Sequence, residues 1–264
     1  MATGQGKMFA MDVVALPAFK DNYIWLLRQS GHAVVVDPGD AGPVLRALRD
    51  NGDTLAAVLL THHHDDHAGG VIELISHYPV PVFGPALEAI AGVDHPLRDG
   101  DRVELPLIGA SFAVLEVAGH TRGHIAYYGA NRLFCGDTLF AGGCGRVFEG
   151  TPEQMWRSLM RIASLPPETQ IYCAHEYTQA NLRFAAAVEP DNVELRQRIA
   201  AVDRRRAAGE ATVPSTLAEE LLSNPFLRCR QAAVIAAAQR VSGGPCDSEA
   251  EVFAAVRAWK NGFR

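Results

Sequence analysis

The feature that most constrains this chain is a group of histidines that directly follows a buried-strand pattern. An apolar, β-rich segment runs into four of the ten histidines of the chain, which are His62, His63, His64 and His67. Residues two apart in an extended stretch point to the same side, so His62 and His64 can share one metal ion while His63 points elsewhere. Asp66 and His67 follow at the turn into a predicted helix and suit a second ion close to the first.

Three more candidate ligands each lie just beyond a predicted strand. They are His120 after the strand at 112–117, Asp137 after 133–135 and His175 after 170–173. An open α/β sheet collects residues from several strand ends into one crevice, which argues against a chance cluster of histidines in a solvated loop. Imidazole and carboxylate suit Zn²⁺, Fe²⁺ or Mn²⁺, whereas structural zinc sites are typically closed and rich in thiolates. The set therefore favours a catalytic centre over a zinc-stabilised module.

Charge and hydropathy limit the partners of the chain. Lys and Arg number 24 against 30 Asp and Glu, so a broadly basic nucleic-acid binder is not expected. No stretch approaches the ~18 to 20 apolar residues of a membrane helix, and 1–7 lacks the pattern of a signal peptide. Five cysteines without framework spacing suit a reducing compartment. We expect a cytoplasmic monomer without nucleic-acid or membrane partners.

The predicted elements divide the chain in two. Short strands alternate with helices at 41–51, 68–78 and 152–164, which indicates an α/β domain over 1–177. Helical periodicity then predicts an all-helical domain over 178–264. Three capping boxes are predicted in it, at Asp191 with Glu194, Thr216 with Glu219 and Ser248 with Glu251. The run Arg204-Arg205-Arg206 is flanked by acidic residues and is interpreted as a solvated helix face.

Several motifs resemble one protein family over essentially the full length of the chain. They are Thr-His-x-His-x-Asp-His at 61–67, Gly-His-Thr at 119–121, Gly-Asp-Thr at 136–138, Ala-His-Glu-Tyr at 174–177, and the segments 143–150 and 224–228. These motifs resemble the metallo-β-lactamase superfamily and, within it, the glyoxalase II enzymes, which are hydroxyacylglutathione hydrolases. The resemblance implies a four-layer αββα sandwich followed by a helical glutathione-binding domain.

The resemblance also implies a centre of two divalent ions per chain, with Zn²⁺ expected and Fe or Mn as alternatives. His62, His64 and His120 would hold one ion, Asp66, His67 and His175 would hold the other, and Asp137 would bridge them. Catalysis is expected to depend on Asp137, Asp66, His62 and His64. Asp65, beside these residues, is expected to hydrogen-bond a ligand histidine or, alternatively, to accept a proton.

Substrate contacts are implied for Arg146, Tyr177, Arg257 and Lys260. Phe148 stands where some family members carry Tyr, and Asn261 where an acid often follows the lysine, so any hydroxyl contact at position 148 is absent. Taken alone, Arg257 and Lys260 are equally well explained as a basic last helical turn that interacts with the helix dipole. The resemblance favours substrate binding.

The reaction implied is hydrolysis of S-D-lactoylglutathione and related 2-hydroxyacylglutathione thioesters to glutathione and the free acid, as in methylglyoxal detoxification. Two divalent ions lower the pKa of a shared water and stabilise the developing oxyanion. A thiolate whose thiol has a pKa of about 8.5 leaves without a dedicated general acid. The alternatives are a mononuclear iron dioxygenase acting on glutathione persulfide, whose relatives lack this long helical region, and a β-lactam hydrolase on the basis of fold alone.

Overall fold

The computed structural model describes residues 11–263 of the chain. The 1–7 segment, on which the expected absence of a signal peptide rests, lies outside the described residues. None of the described helices combines the length and the hydrophobicity needed to span a bilayer.

The first of two six-stranded sheets keeps its strands in chain order. Its strands are β1 (Asp12–Ala18), β2 (Asn22–Gln29), β3 (His32–Val36), β4 (Thr54–Leu59), β5 (Val82–Pro85) and β6 (His95–Leu97). The strands from β1 to β3 pair antiparallel, whereas those from β3 to β6 pair parallel. The carboxyl ends of β3, β4 and β5 therefore lie along one edge.

The second sheet has the strand order β14-β13-β10-β9-β8-β7. Its strands are β7 (Arg102–Leu105), β8 (Ala110–Glu116), β9 (Ile125–Gly129), β10 (Arg132–Gly136), β13 (Gln170–Cys173) and β14 (Ser215–Thr216), and a separate hairpin consists of β11 (Leu139–Phe140) and β12 (Gly143–Cys144). β10 and β13 pair parallel, with Gly136 opposite Cys173. These two strands consequently end side by side.

The helices cover both outer faces and form the C-terminal region. They are α1 (Ala41–Asn51), α2 (Asp65–Ala68), α3 (Val71–His77), α4 (Pro152–Ala163), α5 (Thr178–Val188), α6 (Val193–Ala207), α7 (Leu217–Ser223), α8 (Ala232–Ser242) and α9 (Glu249–Gly262). Val44 of α1 and Leu74 of α3 pack with Leu26 on the outside of the first sheet. Leu159 of α4 belongs to the core of the second sheet, with Phe134. The expected αββα sandwich followed by a helical domain is confirmed.

The structure corrects two details of the predicted helices. The cap of α6 is Asn192, whose side chain accepts from the Leu195 backbone, so the predicted box of Asp191 and Glu194 is wrong. Because α6 begins at Val193, Glu194 lies one position too early to complete a box. The second detail is the start of α3, which lies at 71 rather than 68. Gly70 immediately precedes this helix and packs closely on the loop before α1, since a Cβ there would lie 2.5 Å from the Pro38 oxygen. The boxes at Thr216 and Ser248 are confirmed.

The helical region also contributes the edge strand β14, which pairs antiparallel with β13. A two-residue strand shows no periodicity, so the sequence pattern predicts only helices there. The domain boundary between 177 and 178 stays a prediction, since β14 joins the two parts through a shared sheet.

Candidate metal centre and adjoining pocket

All seven candidate metal ligands meet where strands of both sheets end. His62, His64, Asp66 and His67 follow β4, His120 follows β8, Asp137 follows β10, and His175 follows β13. The parallel pairing of β10 with β13 brings the last two of these segments side by side. Residues that are more than one hundred positions apart in the chain therefore face one another.

Three imidazole nitrogens converge on one side of this cluster. His64 Nδ1 lies 3.1 Å from His62 Nε2 and 3.1 Å from His120 Nε2. The three atoms are close enough to ligate a single cation.

A second group lies beside the first, and Asp137 stands between them. Asp66 Oδ2 lies 3.6 Å from His67 Nε2 and 3.5 Å from His175 Nε2. Asp137 Oδ2 lies 3.4 Å from His120 Nε2, whereas Asp137 Oδ1 lies 3.4 Å from His67 Nε2 and 3.3 Å from His175 Nε2. The carboxylate thus presents one oxygen to each group.

In four of these histidines the other ring nitrogen points away from the cluster, toward an oxygen atom. The pairs are His62 Nδ1 with Thr61 Oγ1 at 3.0 Å, His67 Nδ1 with Asp37 Oδ2 at 3.1 Å, His120 Nδ1 with the Arg146 oxygen at 2.8 Å, and His175 Nδ1 with Asp21 Oδ1 at 2.9 Å. Such partners orient metal-ligating histidines and select their tautomer.

The sequence interpretation placed this orienting role on the wrong aspartate. Asp65 is exposed, and its side chain forms no hydrogen bond within residues 11–263. Asp21 and Asp37 accept from the histidines instead. Asp37 is recognisable in hindsight as a buried carboxylate at the end of β3 with a left-handed backbone (φ 51°).

The residues present fit a pair of metal ions. His67 Nε2 and Asp137 Oδ1 are buried and have no hydrogen-bond partner in the described part of the chain. Leaving a buried polar atom unpaired costs about 1–3 kcal/mol, so such atoms at a converging cluster fit the binding of a cation. Nitrogen and carboxylate donors together suit zinc, iron or manganese.

Burial and neighbouring charges set the protonation of the cluster. Burial lowers the pKa of His62 well below its usual value, which keeps the ring in its neutral form. Burial also opposes a charge on His67, but the carboxylates of Asp137, Asp37 and Asp66 outweigh it and raise the pKa to about 9. Burial of Asp137 is likewise outweighed, here by His67 and His175, so its pKa lies below the usual range and the carboxylate is ionised.

His124 and two cysteines lie next to the cluster without joining it. His124 Nε2 accepts from the Asp137 backbone at 3.2 Å, and its ring stacks on His62 with centroids 4.6 Å apart. Through these contacts His124 supports Asp137 and His62 from behind the cluster. Cys135 and Cys173 are fully buried, and burial raises the pKa of both thiols, so neither is poised as a nucleophile.

A cavity of about 400 Å³ runs from the metal cluster to the helical region. Its walls include all four predicted substrate-binding residues, Arg146, Tyr177, Arg257 and Lys260, together with Phe148 and Asn261. The Tyr177 ring stacks on His175 with centroids 4.7 Å apart and planes within 3°. Phe148 lies on the cluster side, 5.2 Å from the His120 ring.

Two cations of α9 are held at the far end of this cavity by backbone oxygens and aromatic rings. Arg257 is 5 % exposed, donates to the Cys144 oxygen at 2.8 Å and stacks over Phe226, while its Nε has no described partner. Lys260 donates to the Ala180 oxygen at 3.0 Å. Burial, followed by the Arg257 charge, lowers the pKa of Lys260 to about 8. An anionic ligand would complete the pairing of both side chains.

The 224–228 motif supports the wall of the cavity. Glu220 is fully buried and accepts from the Gly142 backbone at 2.8 Å, from Asn224 at 3.0 Å and from Arg198. Asn224 also donates to the Gly143 oxygen at 2.9 Å. The helical region therefore anchors the β11–β12 hairpin, a role that the sequence analysis missed.

Two family models together match nearly the whole chain. The model of the Metallo-beta-lactamase superfamily matches residues 19–175, and that of the Hydroxyacylglutathione hydrolase C-terminus matches residues 176–263. Among solved structures, ETHE1 from Myxococcus xanthus is 24 % identical with a TM-score of 0.66, over 95 % of this chain and 91 % of that one. At this identity the likeness concerns the fold. TTHA1623 in a di-iron-bound form is 32 % identical with a TM-score of 0.52, over 62 % of this chain and 91 % of that one.

Curated relatives are similar over almost their full length. A hydroxyacylglutathione hydrolase from Alkalilimnicola ehrlichii is 56 % identical over 95 % of this chain and 98 % of the relative. Another hydroxyacylglutathione hydrolase, from Photobacterium profundum, is 54 % identical over 96 % of this chain and 100 % of the relative. With these matches and the αββα sandwich, the chain belongs to the metallo-β-lactamase superfamily and, within it, to the hydroxyacylglutathione hydrolase family.

Proposed function

We propose that this protein is a binuclear metal-dependent hydrolase of S-D-lactoylglutathione and related 2-hydroxyacylglutathione thioesters, and that it releases glutathione and the free hydroxy acid. The observation that carries the proposal is the single cavity that connects the His/Asp cluster with Arg257 and Lys260. Glutathione has a net negative charge, so a substrate that spans the cavity can place its carboxylates on the cations and its thioester at the cluster. The names of the similar hydrolases support this reading.

The proposed ligands of one ion are His62, His64 and His120, those of the other are Asp66, His67 and His175, and Asp137 is shared. When bound, two divalent ions supply a Lewis acid for the thioester carbonyl and a water of lowered pKa. Zn²⁺ is the metal we propose, with Fe or Mn as alternatives, and the relative in a di-iron-bound form supports a pair of ions.

The remaining steps belong to side chains of the chain. Arg257, Lys260 and Arg146 bind and orient the anionic glutathione, and Tyr177, stacked on His175, borders the path between the two ends of the cavity. Asp137, Asp66, His62 and His64 are the residues we assign to catalysis, because as ligands they would fix the positions of the two ions. The departing thiolate needs no general acid, because a free thiol has a pKa of about 8.5.

The iron-dependent persulfide dioxygenase considered as an alternative is less supported. The helical region matches the hydroxyacylglutathione hydrolase C-terminus over 176–263, and the curated relatives at 50–56 % identity carry that hydrolase name. The monomeric state and the cytoplasmic location stay predictions.

The proposal is tested by following the loss of thioester absorbance when purified protein acts on S-D-lactoylglutathione, with metal content measured on the same sample. We expect about two ions per chain, loss of turnover on chelation and recovery on metal addition. S-lactoyl-N-acetylcysteamine, a thioester without carboxylates, serves as the matched substrate and is expected to show a much higher KM. A fully metallated protein without turnover would overturn the proposal, and oxygen uptake with glutathione persulfide would then test the dioxygenase.

A further inference from the structure

Glu88 is a buried carboxylate that has no part in the proposed reaction. It lies in the loop between β5 and β6, and its side chain is only 4 % exposed. Burying a charge is unfavourable unless it is paired and hydrogen-bonded. The hydrogen-bond partners of Glu88 therefore show which parts of the structure this side chain stabilises.

The two oxygens of Glu88 bind two different segments of the metal centre. Oε2 accepts from His63 Nδ1 at 2.9 Å. Oε1 accepts from the Gly123 backbone at 3.0 Å and from the Thr121 hydroxyl. The packing is close as well, because a Cβ on Gly123 would lie 2.6 Å from Glu88 Cγ and 2.9 Å from Leu87 Cβ. One side chain therefore ties the segment after β4 to the loop after β8.

These two segments carry all three histidines of the first group. His63 is held away from the centre, with its other nitrogen 3.2 Å from Glu149 Oε1, while its neighbours His62 and His64 face the centre. His120 directly precedes Thr121. Glu88 thus links the segment of His62 and His64 to the segment of His120.

The second group is held by other residues. Asp37 accepts from His67, Asp21 accepts from His175, and Asn22 donates to Asp66 at 2.9 Å. Within residues 11–263, no hydrogen bond joins Glu88 to any of them. Asp37 also binds Thr61, whose hydroxyl contacts His62, and Asp137 faces both groups, so the two groups share these carboxylates but only the first has contacts to Glu88 on its segments.

We infer that Glu88 is a positioning residue that selectively raises the metal affinity of the His62, His64 and His120 group. The inference rests on the proposed pair of metal sites. Residues that orient metal ligands typically change metal affinity about 10- to 100-fold when they are replaced.

The test is a Zn²⁺ titration of metal-free protein against a competing chelator, which resolves two binding events. Variants His120→Ala and Asp66→Ala assign each event to one group. In Glu88→Ala we expect the three-histidine event to weaken about 10- to 100-fold, with the other event unchanged. Glu88→Gln retains an oxygen acceptor for Thr121 and Gly123, so we expect it to restore part of the affinity. Glu73→Ala, which removes an exposed carboxylate of α3, is the matched control and is expected to leave both events unchanged.

Equal weakening of both events in Glu88→Ala, or no change in either, would overturn the inference. If circular dichroism shows that Glu88→Ala does not fold, Glu88→Gln becomes the test. In that variant the inference requires the three-histidine binding event to weaken more than the other binding event. The wild-type protein separates this inference from the proposed function. Two bound ions with turnover of the thioester support that function whatever Glu88 does, whereas a wild-type protein that binds no pair of ions removes both.

Discussion

The two ends of the substrate cavity are built in opposite ways. At the cluster end, side chains from strand termini form hydrogen bonds to one another and to buried carboxylates such as Asp37 and Asp21. At the far end, Arg257 and Lys260 come from the last helix and rest on backbone oxygens and the rings of Phe226 and Phe184.

The difference concerns what each end lacks. Within residues 11–263, the cluster has buried nitrogen and oxygen atoms without hydrogen-bond partners, which suits the binding of cations. In the same part of the chain, the cations of the far end contact neutral groups, which suits the binding of an anion. Chemistry and binding should consequently be separable by substitution, with turnover depending on one end and affinity on the other.

The largest effect is expected for Asp137→Ala. Its carboxylate presents one oxygen to each group, so its removal should leave fewer than two ions per chain and lower kcat/KM by about 10³-fold or more, since a Lewis acid is worth several kcal/mol. Metal analysis and steady-state kinetics on S-D-lactoylglutathione check this. Asp65→Ala removes an exposed neighbouring carboxylate and should change neither quantity. An Asp137→Ala protein with two ions and nearly normal turnover would contradict the assignment.

The next effect is expected for Arg257→Met. Loss of a buried charged hydrogen-bond donor should raise KM about 10- to 150-fold, equivalent to about 1.5–3 kcal/mol, and leave the metal content at the wild-type value. KM and kcat measured together with metal analysis separate the two ends. Arg240→Met, at an exposed position of α8, is the matched control. A loss of metal in Arg257→Met would show that the two ends are coupled.

A smaller effect is expected from pH alone. Burial and Arg257 lower the pKa of Lys260 to about 8, so its charge disappears as pH rises through that value. An anionic substrate is bound by the charged form, and KM should therefore increase about 5- to 13-fold above pH 8, since a charged hydrogen bond exceeds a neutral one by about 1–1.5 kcal/mol. In Lys260→Met the rise of KM with pH should vanish, because the charge is absent and KM is already high at neutral pH. A wild-type KM that stays level from neutral pH to pH 9 would contradict this role for Lys260.

The smallest effect is expected for Arg204→Ala. Arg204 is exposed on α6, and exposed substitutions of this kind usually alter the free energy of unfolding by less than about 0.5 kcal/mol. KM should stay at the wild-type value, because Arg204 is not among the residues that line the substrate cavity. Urea unfolding and KM test both statements, and a rise in KM would show that the basic run acts on substrate at a distance.

The candidate ligands were predictable because each follows a short apolar strand, and strand ends of this fold meet at one edge. The caps of α7 and α9 were predictable because Thr216 and Ser248 each satisfy the start of a helix locally. The cap of α6 was placed one residue early, since two adjacent residues, Asp191 and Asn192, are both good caps and the periodicity does not choose between them.

The supporting residues could not be found in this way. Glu88 lies 25 positions from His63 and 35 from Gly123, and no local pattern links them. Asp65 was the natural candidate for orienting a histidine because it adjoins the ligands in sequence. The first turn of α2 leaves it exposed instead, and distant carboxylates take that role.

The amino-acid sequence was sufficient for properties that follow from local order: the alternation of strands and helices, the residue types gathered at strand ends, and the change to helices in the last third. Only the tertiary structure decided which carboxylate orients each histidine, how Asp137 stands between two groups, and that Arg257 and Lys260 share a cavity with the cluster. Those relations join residues far apart in the chain, and their geometry depends on strand pairing, burial and packing, which local patterns do not specify.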